Sequence, residues 1–231
     1  MTLDSDGGDD FAFLKEAVGS LSVPGAWLPL LLVALFQPAT HLLMLWTLPT
    51  AQNPDHGPYV AAFAAIVLVY VVFALATLRI MNSSPRPAWS PDWSACVYAA
   101  VVLGGVAVGL FADWVVVPST LLSALANEIV STLIFVPVTP WMVAIAVERP
   151  LAWRPAPWFR RLRAWLPALF LWNFLILAPA DALYRIGFGA WLARGGQNDW
   201  RFFALDGIVA AARTFLALAL ASVAYRRVAR V

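Results

Sequence analysis

The sequence predicts an all-α integral membrane protein, a bundle of about six transmembrane helices with a kinked fourth helix and a short N-terminal interfacial helix. Apolar residues make up 62% of the 231 residues and charged residues 12%, whereas soluble domains are about 45–50% apolar and about 25% charged. The apolar residues also lie in long runs, and about 20 such residues cross the hydrocarbon layer as a helix. These runs do not alternate with polar residues as the strands of a membrane barrel do, so helices are favoured.

Residues 1–23 are predicted to be an acidic tail followed by an interfacial amphipathic helix. The tail, LDSDGGDD, is acidic where a cleavable signal peptide would be basic, so no signal peptide is expected. After the tail, Phe11, Leu14, Val18 and Leu21 recur at helical spacing. This spacing predicts a short helix that lies on the membrane surface, with these side chains as its apolar stripe.

Residues 24–231 are predicted to form the six-helix transmembrane domain. The predicted spans are Pro24–Trp46, Tyr59–Leu78, Ser94–Ala112, Leu121–Val147, Trp165–Tyr184 and Phe202–Tyr225. The fourth span is longer than the bilayer requires and contains Pro137 and Pro140. Because each proline removes a backbone hydrogen bond, we expect this helix to be kinked.

The distribution of basic residues predicts the orientation. Eleven of the fifteen lysines and arginines fall on the side of the N-terminus, and three fall on the other side. Because basic loops remain in the cytoplasm, both termini are expected there. Lys15 is the only lysine, and a bias towards arginine and alanine is typical of GC-rich bacteria. The predicted location is therefore the bacterial inner (plasma) membrane.

Polar residues inside the predicted spans form the first candidate site. Such residues are costly in hydrocarbon and commonly have a function. The candidates are Gln37, His41, Asn127, Glu128, Asp181, Asp206 and Arg213. A helical rise of about 1.5 Å per residue places them in one layer between the outer boundary and the middle of the bilayer.

Two interpretations of this layer are open. It lines a water-accessible path for a solute or proton, or it is a satisfied polar core that fixes how the helices pack. We favour the second interpretation, because the inner half of the spans has few polar residues. In that case Glu128 is expected to pair with Arg213, since an unpaired charge inside a span costs about 3 kcal/mol. Asp206 is the rival partner of Arg213.

The loop before the fifth predicted span is the second candidate site. It contains Trp158, Arg160, Arg161 and Arg163, which fit an amphipathic turn or two. The tryptophan would enter the membrane interface and the arginines would meet anionic headgroups. Two interpretations of this loop are open: it binds a lipid or a partner protein, or its arginines only determine topology, and the second interpretation is favoured.

The motifs of common enzymes are missing from the sequence. It contains no HExxH, GxSxG or CxxC motif and no phosphate-binding glycine loop, so no catalytic residue, metal or cofactor is predicted. A net charge of +2 gives no indication of a nucleic-acid partner. The predicted function is that of a non-enzymatic scaffold, accessory subunit or membrane-organising factor, with membrane lipids and another membrane protein as expected partners. The alternative is a small solute or proton-coupled transporter or channel that uses the outer polar layer.

One segment, residues 137–165, has a recognisable arrangement. An apolar span with proline ends in an acidic residue, and a short arginine-rich stretch and the next span follow. The residues that carry this arrangement are Glu148, Pro150, Arg160, Arg161 and Trp165. The segment resembles bacterial polytopic proteins of the YciC-like and glycerophosphodiester-phosphodiesterase membrane-domain type. This resemblance covers about an eighth of the chain and implies an inner-membrane helical bundle without a defined catalytic site.

Overall fold

The computed structural model describes residues 8–47, 55–115, 120–148, 154–195 and 199–229. Their regular secondary structure is helical, and no strand occurs within these ranges. The helices are α1 Gly8–Gly19, α2 Trp27–Thr47, α3 Gly57–Met81, α4 Trp93–Val115, α5 Leu121–Phe135, α6 Thr139–Val147, α7 Pro155–Leu162, α8 Leu166–Trp172, α9 Ala178–Ala193 and α10 Trp200–Ala229. A 3-10 turn, Ser20–Ser22, follows α1, and a π-helical turn, Asn173–Leu177, joins α8 to α9. Residues 1–7 of the predicted acidic tail lie outside the described residues.

Several helices are long and apolar enough to cross a bilayer. These segments are Trp27–Met44, Gly57–Met81, Leu166–Trp191 and Trp200–Ala229. Helices α5 and α6 add a fifth if the two together make one bent span. The apolar part of α4, Trp93–Gly109, is too short to be counted with them. A bundle of apolar, membrane-type helices is confirmed, but the described residues support four or five spans and not the predicted six.

The predicted fourth span is two helices. Helix α5 ends at Phe135 and α6 begins at Thr139, and the two axes differ by 51°. Pro140 lies in the first turn of α6, where the missing N–H of proline is tolerated. The carbonyl that it leaves free, that of Val136, accepts a hydrogen bond from the Thr139 hydroxyl at 2.9 Å. The prolines therefore mark the end of one helix and the start of another, where a single kinked helix was expected.

The core of the bundle is built around α10, which packs against α1, α2, α3 and α6. Its second half is mostly buried, and small side chains such as Ala219, Ser222 and Ala224 let the neighbouring helices approach closely. The C-terminal end of α10 meets α1, since Arg226 Nε lies 3.2 Å from Glu16 Oε1. We call this end of the bundle the terminal face and the other end the opposite face.

Helix α1 packs on the bundle with a side that only partly overlaps the predicted one. Phe13 and Ala17 are fully buried, and α1 makes its main helix contact with α10. Of the predicted stripe, Leu14 and Leu21 are partly buried and pack against the core, whereas Phe11 and Val18 are exposed. The short Ala17 side chain allows the close approach to α10.

Helix α9 is longer than predicted. The prediction ended the fifth span at Tyr184 and placed Gly187 and Gly189 in a loop, but α9 continues through both glycines. Glycine is tolerated in membrane helices more than in soluble ones. The turn comes at Gly195, whose φ of +84° suits glycine. As a result Arg185 is a helical residue that faces other helices.

Candidate intramembrane polar site

Polar side chains of four helices meet inside the bundle. We call them the interior polar site: Gln37 and His41 on α2, Tyr70 on α3, Asp181 and Tyr184 on α9, and Asp206 and Arg213 on α10. Five of these were predicted from the sequence, and the two tyrosines were not. All lie in helices that are long enough to span a membrane, so each polar group needs a partner within the protein.

Helices α2 and α10 approach each other closely beside this site. Pro38 lies inside α2 and, because proline lacks an N–H, leaves the carbonyl of Ala34 without its helical hydrogen bond. An added Cβ atom at Gly207 of α10 would lie 2.1 Å from this carbonyl oxygen. Glycine is therefore required at this contact, which brings the polar side chains of α2 next to Asp206.

The Asp206 carboxylate is the most deeply buried charge of the site, with no exposed side-chain surface. Its Oδ1 atom accepts a hydrogen bond from the Tyr184 hydroxyl, and its Oδ2 atom lies 2.7 Å from His41 Nδ1. These last two atoms are within ion-pair distance but are not aligned as a hydrogen bond, and neither has a hydrogen-bond partner among the described residues. A buried carboxylate that is incompletely hydrogen-bonded is costly and points to a functional role.

Gln37 connects the residues around Asp206. Its amide nitrogen donates to the Tyr184 hydroxyl at 3.0 Å and lies 3.4 Å from His41 Nε2, while its carbonyl accepts from the Tyr70 hydroxyl. Because the amide nitrogen can only donate, His41 Nε2 accepts in this arrangement and the imidazole proton lies on Nδ1. A second proton on His41 would require the Gln37 amide to turn over, which would reverse its bonds to both tyrosines.

Arg213 lies next to this group and has a different partner from the one predicted. Its Nε atom donates to Asp181 Oδ1, and its guanidinium lies 4.5 Å from the centre of the Tyr184 ring. The predicted Glu128–Arg213 pair is wrong, since Glu128 Oε1 lies 2.7 Å from Arg185 Nε.

The difference arises from which helices pack together. Depth along the membrane placed Glu128 and Arg213 near each other, but α5, which carries Glu128, packs mainly against α9. The longer α9 supplies Arg185, which the prediction had placed in a loop. Asn127, also predicted for this layer, is buried and accepts a hydrogen bond from Ser131 of its own helix at 3.4 Å.

The π-helical turn Asn173–Leu177 precedes Asp181 on the same span. Pro179 cannot donate a backbone hydrogen bond, and the turn before it is wider than an α-helix, with the Ala178 N–H bonded to the Asn173 carbonyl. One extra residue in a turn rotates the side chains that follow it, and π turns occur often at functional sites. The wider turn thus changes the direction in which Asp181 leaves α9.

A cavity of about 260 Å³ lies against the site. The residues that line it are Gln37, Tyr70, Leu177, Asp181, Ala210, Arg213, Thr214 and Ala217. Its volume is near the lower end of ligand pockets, about 300 Å³, and equals about nine waters at ~30 Å³ each. Four kinds of polar group line it: a guanidinium, a carboxylate, an amide and hydroxyls. Among the described residues, no three His, Cys, Asp or Glu side chains are placed to hold a metal ion.

A second polar cluster, at the terminal face, was missed by sequence reasoning. Arg79 is completely buried and uses all five of its N–H groups. The acceptors are the carbonyls of Ala146 (3.1 Å), Pro87 (2.9 Å) and Ser90 (2.7 Å), the Asp92 carboxylate (2.6 Å) and the Ser94 hydroxyl (2.8 Å). We call Arg79, Arg86, Asp92 and Ser94 the terminal-face cluster. It joins the loop between α3 and α4 to the end of α6.

Asp92 is the acceptor at the centre of this cluster. Arg86 Nη1 donates to Asp92 Oδ2 at 2.5 Å, and Arg86 also donates twice to the Glu148 carbonyl, at 3.0 and 2.6 Å. Burial alone would raise the pKa of Asp92, but hydrogen bonds from Ser94, Arg86 and Arg79 outweigh burial and hold it well below its usual range. The sequence did contain a signal for this cluster, because Asp92 follows Arg79 and Arg86 within a short stretch. The two arginines had been interpreted only as topology determinants.

The predicted loop patch forms helix α7. Arg160, Arg161 and Arg163 are exposed, and the Trp158 ring stacks on Tyr225 of α10 with 5.5 Å between ring centres. The tryptophan is therefore held against the bundle, while the arginines remain available at the terminal face.

Tyr70 and Tyr184 are the residues of the interior polar site that the sequence analysis missed. Tyr70 lies in the middle of a long apolar run. A hydroxyl at that depth needs a hydrogen-bond partner, and this requirement was the signal that could have identified it.

The chain was compared with protein-family models, curated proteins and solved structures. None of the three comparisons gave a match. The resemblance of residues 137–165 to YciC-like proteins therefore stays a prediction, and the functional argument depends on the site itself.

Proposed function

We propose that this protein is a proton-linked carrier for a small polar solute, with the cavity beside Arg213 as the solute site and Asp206 with His41 as the proton site. The observation that carries the proposal is the completely buried Asp206 carboxylate, which lies 2.7 Å from a histidine in a site that adjoins a polar cavity. Arg213 lies on the same helix as Asp206, about two turns further on, yet it pairs with Asp181. Asp206 thus has partners whose protonation and orientation can change.

The charges of the site indicate the class of solute. Arg213 and Asp181, which both line the cavity, form an ion pair, so the formal charges on the cavity wall balance. A cavity of this kind favours a neutral or zwitterionic polar molecule over an ion of net charge. Its volume of about 260 Å³ limits the solute to one much smaller than most drugs.

The proton linkage follows from the hydrogen bonds of Gln37. A second proton on His41 would require the Gln37 amide to turn over, and the Tyr70 hydroxyl, which bonds to that amide, lines the cavity. Protonation at Asp206 and His41 would therefore change the donors and acceptors that a solute meets.

We further propose that the protein lies in a bacterial inner membrane, crosses it six times and has its terminal face in the cytoplasm. The excess of basic residues on that side supports this orientation. Reporter fusions after residues 88 and 156 are expected to report the cytoplasm, and fusions after residues 55 and 193 the outside. A reversed signal at any one position would contradict the orientation or remove a span.

The solute site is tested by thermal unfolding of the full chain in detergent, with glycine, proline, glucose and glycerol as probes at millimolar concentration. At least one probe should raise the melting temperature of the wild type, and Arg213→Gln should abolish that increase. Glu128→Gln is the matched control, because Glu128 pairs with Arg185 outside the cavity lining. If none of the probes raises the melting temperature, the proposal of a small uncharged or zwitterionic solute is wrong.

The proton site is tested in proteoliposomes that contain a pH-sensitive dye. Addition of the stabilising probe should change the internal pH with wild-type protein and with Glu128→Gln. Asp206→Asn should still bind the probe but leave the internal pH constant. A pH change of equal size with Asp206→Asn would rule out Asp206 as the proton site.

A second candidate function is a scaffold or accessory subunit. The observation in its favour is the terminal-face cluster, in which a buried arginine has all its donors satisfied, because this arrangement fixes a surface without any evident chemical activity. Purification in mild detergent followed by mass spectrometry tests this function. A stoichiometric membrane-protein partner, together with no effect of any solute probe, would favour the scaffold over the carrier.

A further inference from the structure

A second cavity lies at the terminal face, away from the interior polar site. Its volume is about 240 Å³, and it is lined by Glu148, Pro157, Trp158, Arg161 and Ala229. Neither its residues nor its chemistry enter the proposed carrier function. It therefore requires a separate explanation.

The cavity has opposite charges on its wall that do not pair with each other. Glu148 and Arg161 both line it, but no ion pair within 4 Å joins them in the described part of the chain. The Glu148 side chain accepts a hydrogen bond from the Tyr225 hydroxyl at 3.2 Å, and its carbonyl is held by Arg86. The carboxylate is thus held in position, and the Arg161 guanidinium lines the same cavity.

Trp158 gives the cavity a rigid side. Its ring stacks on Tyr225, the residue that also bonds to Glu148. Beside the cavity, α7 exposes Phe159 and Arg160, next to Arg161 of the cavity wall. An exposed phenylalanine beside exposed arginines is typical of a helix at the membrane interface, so the cavity opens at the level of lipid headgroups.

We propose that this cavity binds the phosphoethanolamine headgroup of a lipid in the adjacent leaflet, with the lipid ammonium at Glu148 and its phosphate at Arg161. A primary ammonium donates hydrogen bonds to a carboxylate, and a guanidinium binds phosphate through paired donors. Burial raises the pKa of Glu148, and the Tyr225 hydrogen bond and the charge of Arg161 only partly offset it. A bound ammonium would favour the charged carboxylate and so relieve this cost.

The test uses the full chain, stripped of lipid in detergent and then offered phosphatidylethanolamine, phosphatidylcholine and phosphatidylglycerol in equal amounts. Bound lipid is measured by native mass spectrometry. The wild type should retain phosphatidylethanolamine about tenfold over phosphatidylcholine, because the quaternary ammonium of the latter cannot donate a hydrogen bond. Equal retention of the two would overturn the proposal.

Three variants identify the contacts. Glu148→Gln should remove the preference for phosphatidylethanolamine over phosphatidylcholine while keeping the hydrogen bond from Tyr225, and Arg161→Gln should weaken retention of both. Arg163→Gln is the control, because Arg163 is equally exposed but does not line the cavity. If Arg163→Gln changes retention as much as Arg161→Gln does, the binding is a general effect of basic charge.

Two further results decide the identity of the ligand. Preferred retention of phosphatidylglycerol, increased further by Glu148→Gln, would show an anionic-lipid site and overturn the assignment of the ammonium. Soluble phosphoethanolamine at millimolar concentration should leave the lipid in place if the source is the membrane. Complete displacement by this molecule would assign the cavity to the free headgroup.

Discussion

The terminal-face cluster and the interior polar site each have an aspartate at their centre, Asp92 and Asp206. The two aspartates differ in the side chains that surround them. Asp92 accepts hydrogen bonds from two arginines and a serine. Asp206 has a tyrosine, a glutamine and a histidine around it. Arg213 is on the same helix as Asp206, yet it pairs with Asp181.

The difference shows how the same side chain can serve structure or function. Permanently charged donors keep a carboxylate ionised and its geometry fixed. Histidine, glutamine and tyrosine can exchange or reverse their donor and acceptor roles. The first arrangement suits a joint between helices, and the second suits a site where a proton or a solute enters and leaves.

The largest expected effect is that of Arg79→Gln. This change removes most of the five hydrogen bonds of a buried guanidinium and leaves Asp92 with fewer donors, so it should destabilise the protein by about 3–5 kcal/mol. Thermal unfolding in detergent measures the loss. Arg160→Gln, at an exposed arginine, is the control and should be nearly neutral. Similar melting temperatures for the two variants would mean that the terminal-face cluster contributes little to stability.

Replacement of Asp92 by Asn tests the charge at the centre of the same cluster. It should cost about 1.5–3 kcal/mol at pH 7, because hydrogen bonds to a charged group are lost. Since the pKa of Asp92 is lower in the folded protein, its contribution is present above the unfolded value of about 3.9 and is lost as the pH falls towards the folded value. Melting curves from pH 7 to pH 3 should show the melting temperatures of wild type and Asp92→Asn approaching each other in acid. Asp199→Asn, a change outside the cluster, is the control, and its difference in melting temperature from wild type should not shrink as the pH falls.

The close contact of α2 with α10 is tested by Gly207→Ala. The new methyl group would lie 2.1 Å from the Ala34 carbonyl oxygen, so the helices must separate, at a cost of about 1–3 kcal/mol. Gly189→Ala is the matched control, because an added Cβ at this helical glycine meets nothing within 4 Å. The control should be neutral or slightly stabilising. If Gly207→Ala lowers the stability no more than Gly189→Ala does, α2 and α10 do not approach each other closely at this point.

The smallest expected effect is the coupling between Glu128 and Arg185. A double-mutant cycle with Glu128→Gln and Arg185→Gln should give about 0.5–1 kcal/mol, because Arg185 is partly exposed and its charge is screened. In the corresponding cycle with Glu128→Gln and Arg213→Gln, the two losses of stability should add, since Arg213 pairs with Asp181. Coupling of Glu128 to Arg213 and not to Arg185 would restore the pairing expected from the sequence.

The sequence was sufficient for the helical, membrane-type character of the chain, because hydropathy determines it, but not for the number of spans or the ends of the helices. It predicted that Gln37, His41, Asp206 and Arg213 share a layer, and these residues do belong to one site. It could not predict which of them touch, because contact depends on which helices are neighbours and on the direction of each side chain. The extension of α9 past two glycines had no clear sequence signal, and it is this extension that gives Glu128 its partner.

Arg79 has a consequence for the order of events during synthesis of the protein. One of its acceptors is the carbonyl of Ala146, 67 residues later in the chain. At ~5–20 residues per second, several seconds pass between the appearance of the two residues at the ribosome. During that interval the guanidinium can reach only the acceptors of the following loop, those of Pro87, Ser90, Asp92 and Ser94. The same residue thus first organises the loop after α3 and later, when α6 is made, fastens α3 to α6.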